Sequence, residues 1–172
     1  MSTSRVALDI RRVRFGQPDA MRLIAEVQDE YVVRYGGPDE TPLDPVMFEP
    51  PEGSFFVAYA AGLGGPQAIA TGAWRRRDLE VFGTRATAEI KRMYVMPRVR
   101  KVGVARTMLA HLERTAADAG ISALVLETGM RQPEAIALYE SSGYVEIPGF
   151  GFYRDEPLSR CFGKPLQELS GN

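Results

Sequence analysis

The sequence has few of the residues that most often carry out nucleophilic and metal-dependent chemistry. It contains one cysteine, Cys161, and one histidine, His111. A single cysteine excludes an internal disulfide, and this supply of ligands provides neither a thiolate–imidazole pair nor a Cys/His metal cluster. The nucleophile elbow Gly-x-Ser-x-Gly and the phosphate-binding loop Gly-x-x-x-x-Gly-Lys-Ser/Thr are also missing. We therefore expect neither a metal centre nor a covalent hydrolase mechanism.

Long apolar runs and a strong excess of one charge are absent as well. No apolar stretch approaches the ~20 residues that span a bilayer, and the N-terminal residues lack the apolar region of a signal peptide. The net charge is −1 and the sequence pI is about 5.9, which does not favour nucleic acid or a membrane surface as a partner. With 172 residues, 45% of them hydrophobic, we expect one globular cytoplasmic domain over residues 1–172.

The most informative stretch is Arg100-Lys101-Val102-Gly103-Val104-Ala105, with the residues on either side of it. Residues 87–96 alternate and end at a proline, which predicts a strand. The side chains predicted to share one face are Glu89, Lys91, Met93 and Val95, and those on the other are Ile90, Arg92 and Tyr94. Downstream, apolar residues recur every fourth position to Gly120, which predicts a helix.

A strand, a short loop and a helix start leave backbone N–H groups unpaired at the positive end of the helix dipole, a geometry that attracts phosphate. Gly103 would let a ligand approach the backbone, and Ala105 keeps the next turn small. Positive side chains surround the loop: Arg98, Arg100, Lys101 and Arg106. The ordinary alternative is a helix start with a basic, solvated face.

Two motifs give this sequence a family resemblance. The run from Val95 to Ala105 resembles the acetyl-CoA-binding segment of the Gcn5-related N-acetyltransferases (GNAT), whose core is Arg/Gln-x-x-Gly-x-Gly/Ala. Many members have glycine where Lys101 stands. Residues 133–144 resemble the family's next helix, Asn-x-x-Ala-x-x-Leu-Tyr-x-x-x-Gly-Phe, with Gln132 and Tyr144 as departures. The resemblance covers about residues 6–166.

The resemblance implies where acetyl-CoA, the expected co-substrate, would bind. In the family, backbone amides of the loop hold the pyrophosphate, which implies a site at Arg100 and Lys101 and at the amides of Val102, Gly103, Val104, Ala105 and Arg106. The backbone of the preceding strand would pair with the pantetheine like an added strand, at Met93, Tyr94 and Val95.

The order of elements predicts an α+β fold: strand, helix, three strands, helix, strand, helix, two strands. The expected strands are 6–14, 54–60, 67–75, 87–96, 123–128, 144–147 and 158–162, and the first helix opens at Gln17-Pro18-Asp19 and ends at Gly36. The resemblance implies a mixed, mostly antiparallel central sheet of about seven strands flanked by helices, with the fourth and fifth strands splayed apart.

The expected reaction is direct attack of a primary amine on the thioester. Such an amine is protonated at pH 7, so a base is needed, and Glu89 is the candidate because it stands where histone-acetylating members place a catalytic glutamate. The alternatives are that Glu89 is paired with a nearby arginine, or that Glu127 is the base or orients the amine. Tyr139 matches the family's general acid; its other interpretation is a core aromatic.

The acceptor is the least defined part of the prediction. The resemblance places an acceptor pocket beside the first helix and the loop after it, with Tyr31, Tyr35, Glu127 and Phe152 as candidate binding residues. Further candidates are Phe48, Phe150, Tyr153, Asp39, Glu40, Glu49 and Glu52. We expect an acetyltransferase acting on a small-molecule or peptide amine. The alternative is a non-catalytic CoA-binding regulatory domain, and a homodimer through the last strands is common in the family.

Overall fold

The described residues follow the predicted order of strands and helices. A computed structural model describes residues 7–41, 43–61, 64–100 and 103–166; Lys101 and Val102, which were predicted to bind the pyrophosphate, lie outside these ranges. The strands are β1 (Leu8–Val13), β2 (Gly53–Ala60), β3 (Gln67–Arg77), β4 (Thr87–Val95), β5 (Ala123–Gly129), β6 (Val145–Ile147) and β7 (Ser159–Pro165). The helices are α1 (Pro18–Tyr35), α2 (Val104–Asp118) and α3 (Pro133–Ser141).

All seven of these strands join one mixed sheet in the order β1-β2-β3-β4-β5-β7-β6. Each neighbouring pair is antiparallel except β4 and β5, which are parallel. On one face, Leu23 and Val27 of α1 are buried against β2 and β3. On the other face, Met108 and Leu112 of α2 and Tyr139 of α3 complete a second core cluster. The predicted fold class is confirmed.

Local signals set the helix starts and ends. The Gln17 side chain accepts a hydrogen bond from the Ala20 N–H at 2.9 Å, and Pro18 supplies the fixed φ of a first helical residue. Gly36 ends α1 in the left-handed conformation with φ +80°. Gln132 does not cap α3 with its side chain; its amide Nε2 donates to the Tyr35 hydroxyl at 3.3 Å instead. The Gln132 side chain therefore ties α3 to α1.

A bulge in β4 overturns the predicted alternation of its side chains. Arg92 has φ +56°, and Arg92 and Met93 together stand opposite the single residue Gly72 of β3. Beyond this extra residue the faces exchange, so Met93 packs with the α2 core cluster and Tyr94 belongs to the α1 cluster. The prediction that Met93 shares a face with Glu89 is wrong, because strict alternation assumes a regular ladder.

Other boundaries move because pairing between strands decides them. The last strand was expected to end at Phe162, but β7 pairs with β5 along the whole length of that strand, which extends it to Pro165. The loop between α1 and β2 contains a short 3₁₀ helix, Pro45–Phe48. Among the described residues, no helix combines the length and the apolar character needed to cross a membrane.

Candidate functional site

The strands β4 and β5 separate after three paired positions. Thr87, Ala88 and Glu89 pair with β5, and the register between the two strands stops there. From that point β4 continues against β3, while β5 continues against β7. The facing edges of β4 and β5 therefore diverge, as the family resemblance implied. The gap between them connects one face of the sheet with the other.

A cavity of about 460 Å³ occupies this gap. It lies between the second half of β4, the end of β5, the C-terminal end of α1 and the loop that precedes β7. Its lining is mostly aromatic and charged, and the side chains that matter below are Tyr31, Tyr35, Asp39, Lys91, Arg92, Met93, Glu127, Tyr139 and Tyr153. A pocket of this size with convergent polar groups is the usual form of a small-molecule site.

The N-terminus of α2 provides an open set of amides near the end of β4. Gly103 precedes the helix with φ +88°, and a Cβ added there would meet no atom within 4 Å. The first hydrogen bond of the helix runs from the Thr107 N–H to the Gly103 carbonyl at 3.1 Å. The N–H groups of Val104, Ala105 and Arg106 come before it and have no acceptor within the helix. This terminus can receive an anion.

Three basic side chains of the loop, Arg98, Arg100 and Arg106, are bound to neighbouring groups. Arg100 donates from Nε to the Val95 carbonyl at 2.8 Å and from Nη2 to Glu30 at 2.7 Å. Arg98 and Arg106 also donate to nearby side chains. Arg100 therefore fixes the end of β4 to α1, and among the described residues the attraction for an anion rests mainly on the amides and the helix dipole.

Tyr139 is both a core residue and a cavity residue. Its ring is buried and packs edge-on against Tyr144, with the ring centroids 5.6 Å apart. It also lines the cavity. Burial, with a smaller contribution from Tyr31, raises the pKa of Tyr139 well above that of a free tyrosine. The hydroxyl is therefore protonated at neutral pH and available as a donor.

The two candidate carboxylates have different surroundings. Glu89 is 2% exposed, and its Oε1 lies 3.3 Å from Arg75 and 3.0 Å from Arg77. Its Oε2 lies 3.6 Å from the Lys91 ammonium. This is the arginine-paired arrangement that the sequence left open as an alternative. Glu127 lines the cavity, whereas Glu89 is not among the lining residues.

The carboxylate of Glu127 is held by weak contacts with the loop before β7 and with β7 itself. The Tyr153 N–H donates to Oε1 at 3.4 Å, and the Cys161 thiol lies 3.9 Å from Oε2. Gly151 makes this approach possible, because a Cβ there would lie 2.7 Å from either oxygen. Burial raises the pKa of Glu127, and the Tyr153 hydrogen bond offsets only part of that effect. A carboxylate with a raised pKa beside a cavity can accept a proton.

Two predicted tyrosines line the cavity from α1. Tyr31 and Tyr35 lie with their ring centroids 6.3 Å apart. The Tyr35 ring reaches across to Gly129, where a Cβ would overlap its hydroxyl. Burial, and then the nearby Asp39 charge, raises the pKa of Tyr31 to about 12. Tyr31 is therefore a neutral wall of the pocket, and Tyr35 forms the wall beside it.

The other predicted aromatics are placed differently. Phe152 is 52% exposed and packs on Tyr153 outside the cavity, whereas Tyr153 itself is one of the lining residues. Phe48 is buried and packs against Phe55 at 5.6 Å between centroids, on the far side of α1 from the gap. Contrary to the prediction, Phe48 is a core residue, because the 3₁₀ turn directs it inward.

A buried ion pair closes one wall of the cavity. Arg92, at the bulge, donates to Asp39 Oδ2 at 2.7 Å, and Thr41 donates to Oδ1 from both its N–H (2.9 Å) and its hydroxyl (2.6 Å). The Tyr153 hydroxyl lies 3.1 Å from the same Oδ1. Burial alone would raise the pKa of Asp39, but these donors outweigh it and lower the pKa to about 2.

Lys91 and Arg92 are cavity residues that the sequence did not assign to the site. Regular alternation puts consecutive strand residues on opposite faces, so they were not expected to meet at one pocket. The gap and the bulge bring both to the lining. The one sequence signal for the bulge is Gly72, the residue opposite the extra position in β4.

A family model matches most of the chain. Residues 24–144 match the model described as the acetyltransferase (GNAT) family. The matched segment starts in α1 and ends just after α3, so it contains the diverging strands, the α2 N-terminus, Glu127 and Tyr139.

Individual relatives agree with this match. A segment of 78 residues is 45% identical to an "IAA acetyltransferase" of Azospirillum brasilense, which amounts to 45% of this chain and about half (51%) of that protein. A Klebsiella pneumoniae protein assigned as an acyl-CoA N-acyltransferase is 28% identical, with a TM-score of 0.71 over 93% of this chain and 98% of that one. A GNAT acetyltransferase of Elizabethkingia anophelis, solved with acetyl-CoA bound, has a TM-score of 0.62 at 17% identity, over 92% and 98% of the two chains.

The Asp39 contacts predict an acid-sensitive contribution to stability. A carboxyl with a pKa of about 2 in the folded protein and 3.8 when unfolded stabilises the fold above pH 4. That contribution disappears as the pH falls from about 4 towards 2. We expect Asp39→Asn to lower the free energy of unfolding by about 2 kcal/mol at pH 7, with the difference shrinking on acidification. Urea denaturation of both proteins at several pH values measures it.

A suitable control is Asp155→Asn, since the Asp155 side chain is 93% exposed. Its effect on unfolding should stay within about 0.5 kcal/mol at every pH, as for ordinary surface substitutions. An Asp39→Asn difference that did not change between pH 7 and pH 3 would contradict the assignment of the low pKa to this network.

Proposed function

Because this chain belongs to the acetyltransferase (GNAT) family, we propose that it transfers an acetyl group from acetyl-CoA to an amine bound in the cavity. One observation carries the proposal. A carboxylate with a raised pKa, Glu127, and a protonated tyrosine, Tyr139, line the same cavity where β4 and β5 diverge. A base and an acid at one site are what aminolysis of a thioester requires.

The residues present fit acetyl-CoA as co-substrate. The amides of Val104, Ala105 and Arg106 are free to bind the pyrophosphate, and Gly103 leaves the space in front of them open. The backbone of Met93, Tyr94 and Val95 lies along the gap, although the Val95 carbonyl already accepts from Arg100. When bound, acetyl-CoA supplies a reactive acetyl thioester. The structure solved with acetyl-CoA shares this fold and supports the assignment.

Glu127 has the task of taking protons from the acceptor. An alkyl ammonium with a pKa of about 10.4 is neutral in roughly one molecule in 10³ at pH 7, a deficit of about 4–5 kcal/mol. The nitrogen needs its lone pair to form the new C–N bond, and it sheds a second proton as the amide forms. A raised pKa makes the Glu127 carboxylate a better proton acceptor than an ordinary glutamate. Glu127 then returns its proton to solvent.

Tyr139 has the opposite task. As the C–S bond breaks, its hydroxyl gives a proton to the departing sulfur, and Tyr139 is reprotonated from solvent. The overall change is an ammonium and a thioester giving an amide, a thiol and one released proton. In this scheme no side chain becomes acylated, which agrees with the short supply of nucleophiles.

Glu89 stays an alternative base. It was assigned from its position in the sequence, but Arg75, Arg77 and Lys91 surround its carboxylate. These cations occupy its carboxylate, and Glu89 is not among the residues that line the cavity, so an acceptor bound there would not meet it directly. Its position supports a different role, which is to neutralise the arginines beneath the cavity.

The assay that tests the function is release of CoA thiol from acetyl-CoA in the presence of pooled amines. The pools are amino acids, polyamines, aminoglycosides and peptides with lysine or a free N-terminus, with background hydrolysis subtracted. We expect release with one pool above the rest, and an acetylated product by mass spectrometry. Tight CoA binding with no release from any pool would favour the alternative, a CoA-binding regulatory domain.

Replacing Glu127 tests the base. We expect Glu127→Gln to lower kcat on the order of 10²-fold, because general base catalysis contributes about that much, and to leave the KM for acetyl-CoA unchanged within about twofold. In the parent protein, activity should rise with pH through a pKa above that of an ordinary glutamate, and this limb should be lost in the variant. Steady-state kinetics across pH measures both.

Two further variants make this result specific. Glu146→Gln changes an exposed glutamate on β6 and should keep the parent rate. Glu89→Gln should cost less than Glu127→Gln at equal folded content, measured by circular dichroism. A larger loss for Glu89→Gln would move the base to Glu89.

Replacing Gly103 tests the anion site. A valine there would occupy the open space before the α2 amides and disfavour φ +88°, so we expect the Kd for CoA to rise by about tenfold or more. Gly120→Val is a matched control, because Gly120 follows the other end of α2 with φ +89° and an equally open Cβ position. Calorimetric titration with CoA should separate the two. Equal loss of affinity in both would indicate general destabilisation instead.

A further inference from the structure

Two consecutive cations of β4 line the cavity, and their surroundings differ. Arg92 is buried, and its guanidinium donates to Asp39 at 2.7 Å, so its charge is neutralised by a partner inside the protein. Lys91 is also buried, with 8% of its side chain exposed. Among the described residues, Glu89 is the one carboxylate within 4.0 Å of its ammonium, at 3.6 Å, which is too long for a hydrogen bond.

Glu89 is a weak partner for Lys91 because it is shared. Its Oε1 already accepts from Arg77 at 3.0 Å and lies 3.3 Å from Arg75. One carboxylate thus faces three cations, which leaves positive charge in excess beneath the cavity. An ammonium taken out of water is costly unless its donors find acceptors. The described residues provide no hydrogen-bond acceptor for Lys91 Nζ, so a bound ligand has a place to supply one.

The position of Lys91 relative to Glu127 limits what that ligand is. Lys91 stands on β4 and Glu127 on β5, and both line the same cavity, where the Lys91 charge acts on the Glu127 carboxyl. A molecule that presents its amine to Glu127 therefore shares this cavity with Lys91. We propose that the acceptor is an amino acid or a similar amine with an adjacent carboxylate, and that Lys91 binds this carboxylate. The inference rests on the proposed transferase function.

Charge favours this class over a diamine. A second ammonium on the acceptor would meet Lys91 as a like charge inside a poorly solvated cavity, where repulsion is strong. Of the four acids that line the cavity, Asp39 is paired with Arg92 and Glu127 is assigned to the reacting amine. The other two, Glu40 and Glu156, are exposed, where salt screens them. The buried positive charge of Lys91 therefore favours an acceptor with a carboxylate over one with a second ammonium.

The test compares each proteinogenic amino acid with its own amide, which keeps the amine and the side chain and removes the negative charge. We expect at least one amino acid to exceed its amide in kcat/KM by about tenfold or more. The amide has the larger neutral fraction at pH 7, so this ordering cannot arise from amine basicity. Lys91→Met should bring the ratio to about one, and Lys91→Arg should restore part of it.

Lys164→Met is the matched control. Lys164 is a half-buried lysine paired with a glutamate, Glu113 at 3.1 Å, and it is not among the residues that line the cavity. We expect this variant to keep the amino acid to amide ratio of the parent. A ratio near one in the parent, an unchanged ratio in Lys91→Met, or an equal loss with acids and amides would each overturn the proposal.

A binding measurement separates this inference from the proposed function. N-acetylated amino acids keep the carboxylate and lack the amine, so calorimetric titration of them against their amides reports on Lys91 without turnover. Carboxylate-dependent binding that Lys91→Met abolishes would support the inference even if no acetyl transfer occurred. If the protein acetylated amines but neither turnover nor binding depended on a carboxylate, the role proposed for Lys91 would be wrong and the transferase function would still be supported.

Discussion

The divergence of β4 and β5 after Glu89 is the constraint on which the rest of the site depends. Strands that separate leave backbone N–H and C=O groups without ladder partners, and these groups need acceptors and donors from elsewhere. The same separation creates the cavity and lets side chains from both faces of the sheet reach it, so that Tyr31 from α1 and Tyr139 from α3 meet at one pocket. The bulge at Arg92 adds a second distortion to the same strand, and it turns consecutive residues towards one cavity.

The ionisable groups around the site fall into two kinds: those in close ion pairs that hold the structure together, and those in the cavity that are incompletely paired. Asp39 pairs with Arg92, Glu30 with Arg100, and Glu89 with Arg75 and Arg77, and each of these pairs fixes a loop or a strand edge. Glu127 and Lys91 also line the cavity, but the contact of Glu127 with the Tyr153 N–H is long, and the carboxylate nearest to Lys91 is shared with two arginines. A substrate can complete the missing contacts of such charges, which is why we propose Glu127 for the chemistry and Lys91 for the selectivity.

The sequence was sufficient for the fold because its two motifs and its periodic segments agree about the order of elements. The boundaries of β7 and the face exchange in β4 were not predictable, since they depend on pairing with a neighbouring strand and on one extra residue opposite Gly72. The site was partly predictable for the same reason. Tyr31, Tyr35, Glu127 and Tyr139 lie on predicted helices and strands and all line the cavity, whereas Lys91 reaches it only through the strand divergence. Phe48 and Phe152 belong to two separate loops, before β2 and before β7, that have no periodicity.

In the proposed mechanism, the gap between β4 and β5 leads from the α2 N-terminus to a cavity where Glu127 and Tyr139 act on a thioester. The decisive measurement is a crystal structure of the chain with CoA. We expect the pyrophosphate on the amides of residues 104–106, the pantetheine along the edge of β4, and the sulfur in the cavity within hydrogen-bonding reach of the Tyr139 hydroxyl. Pantetheine outside the gap, or a sulfur directed away from Tyr139 and Glu127, would contradict it.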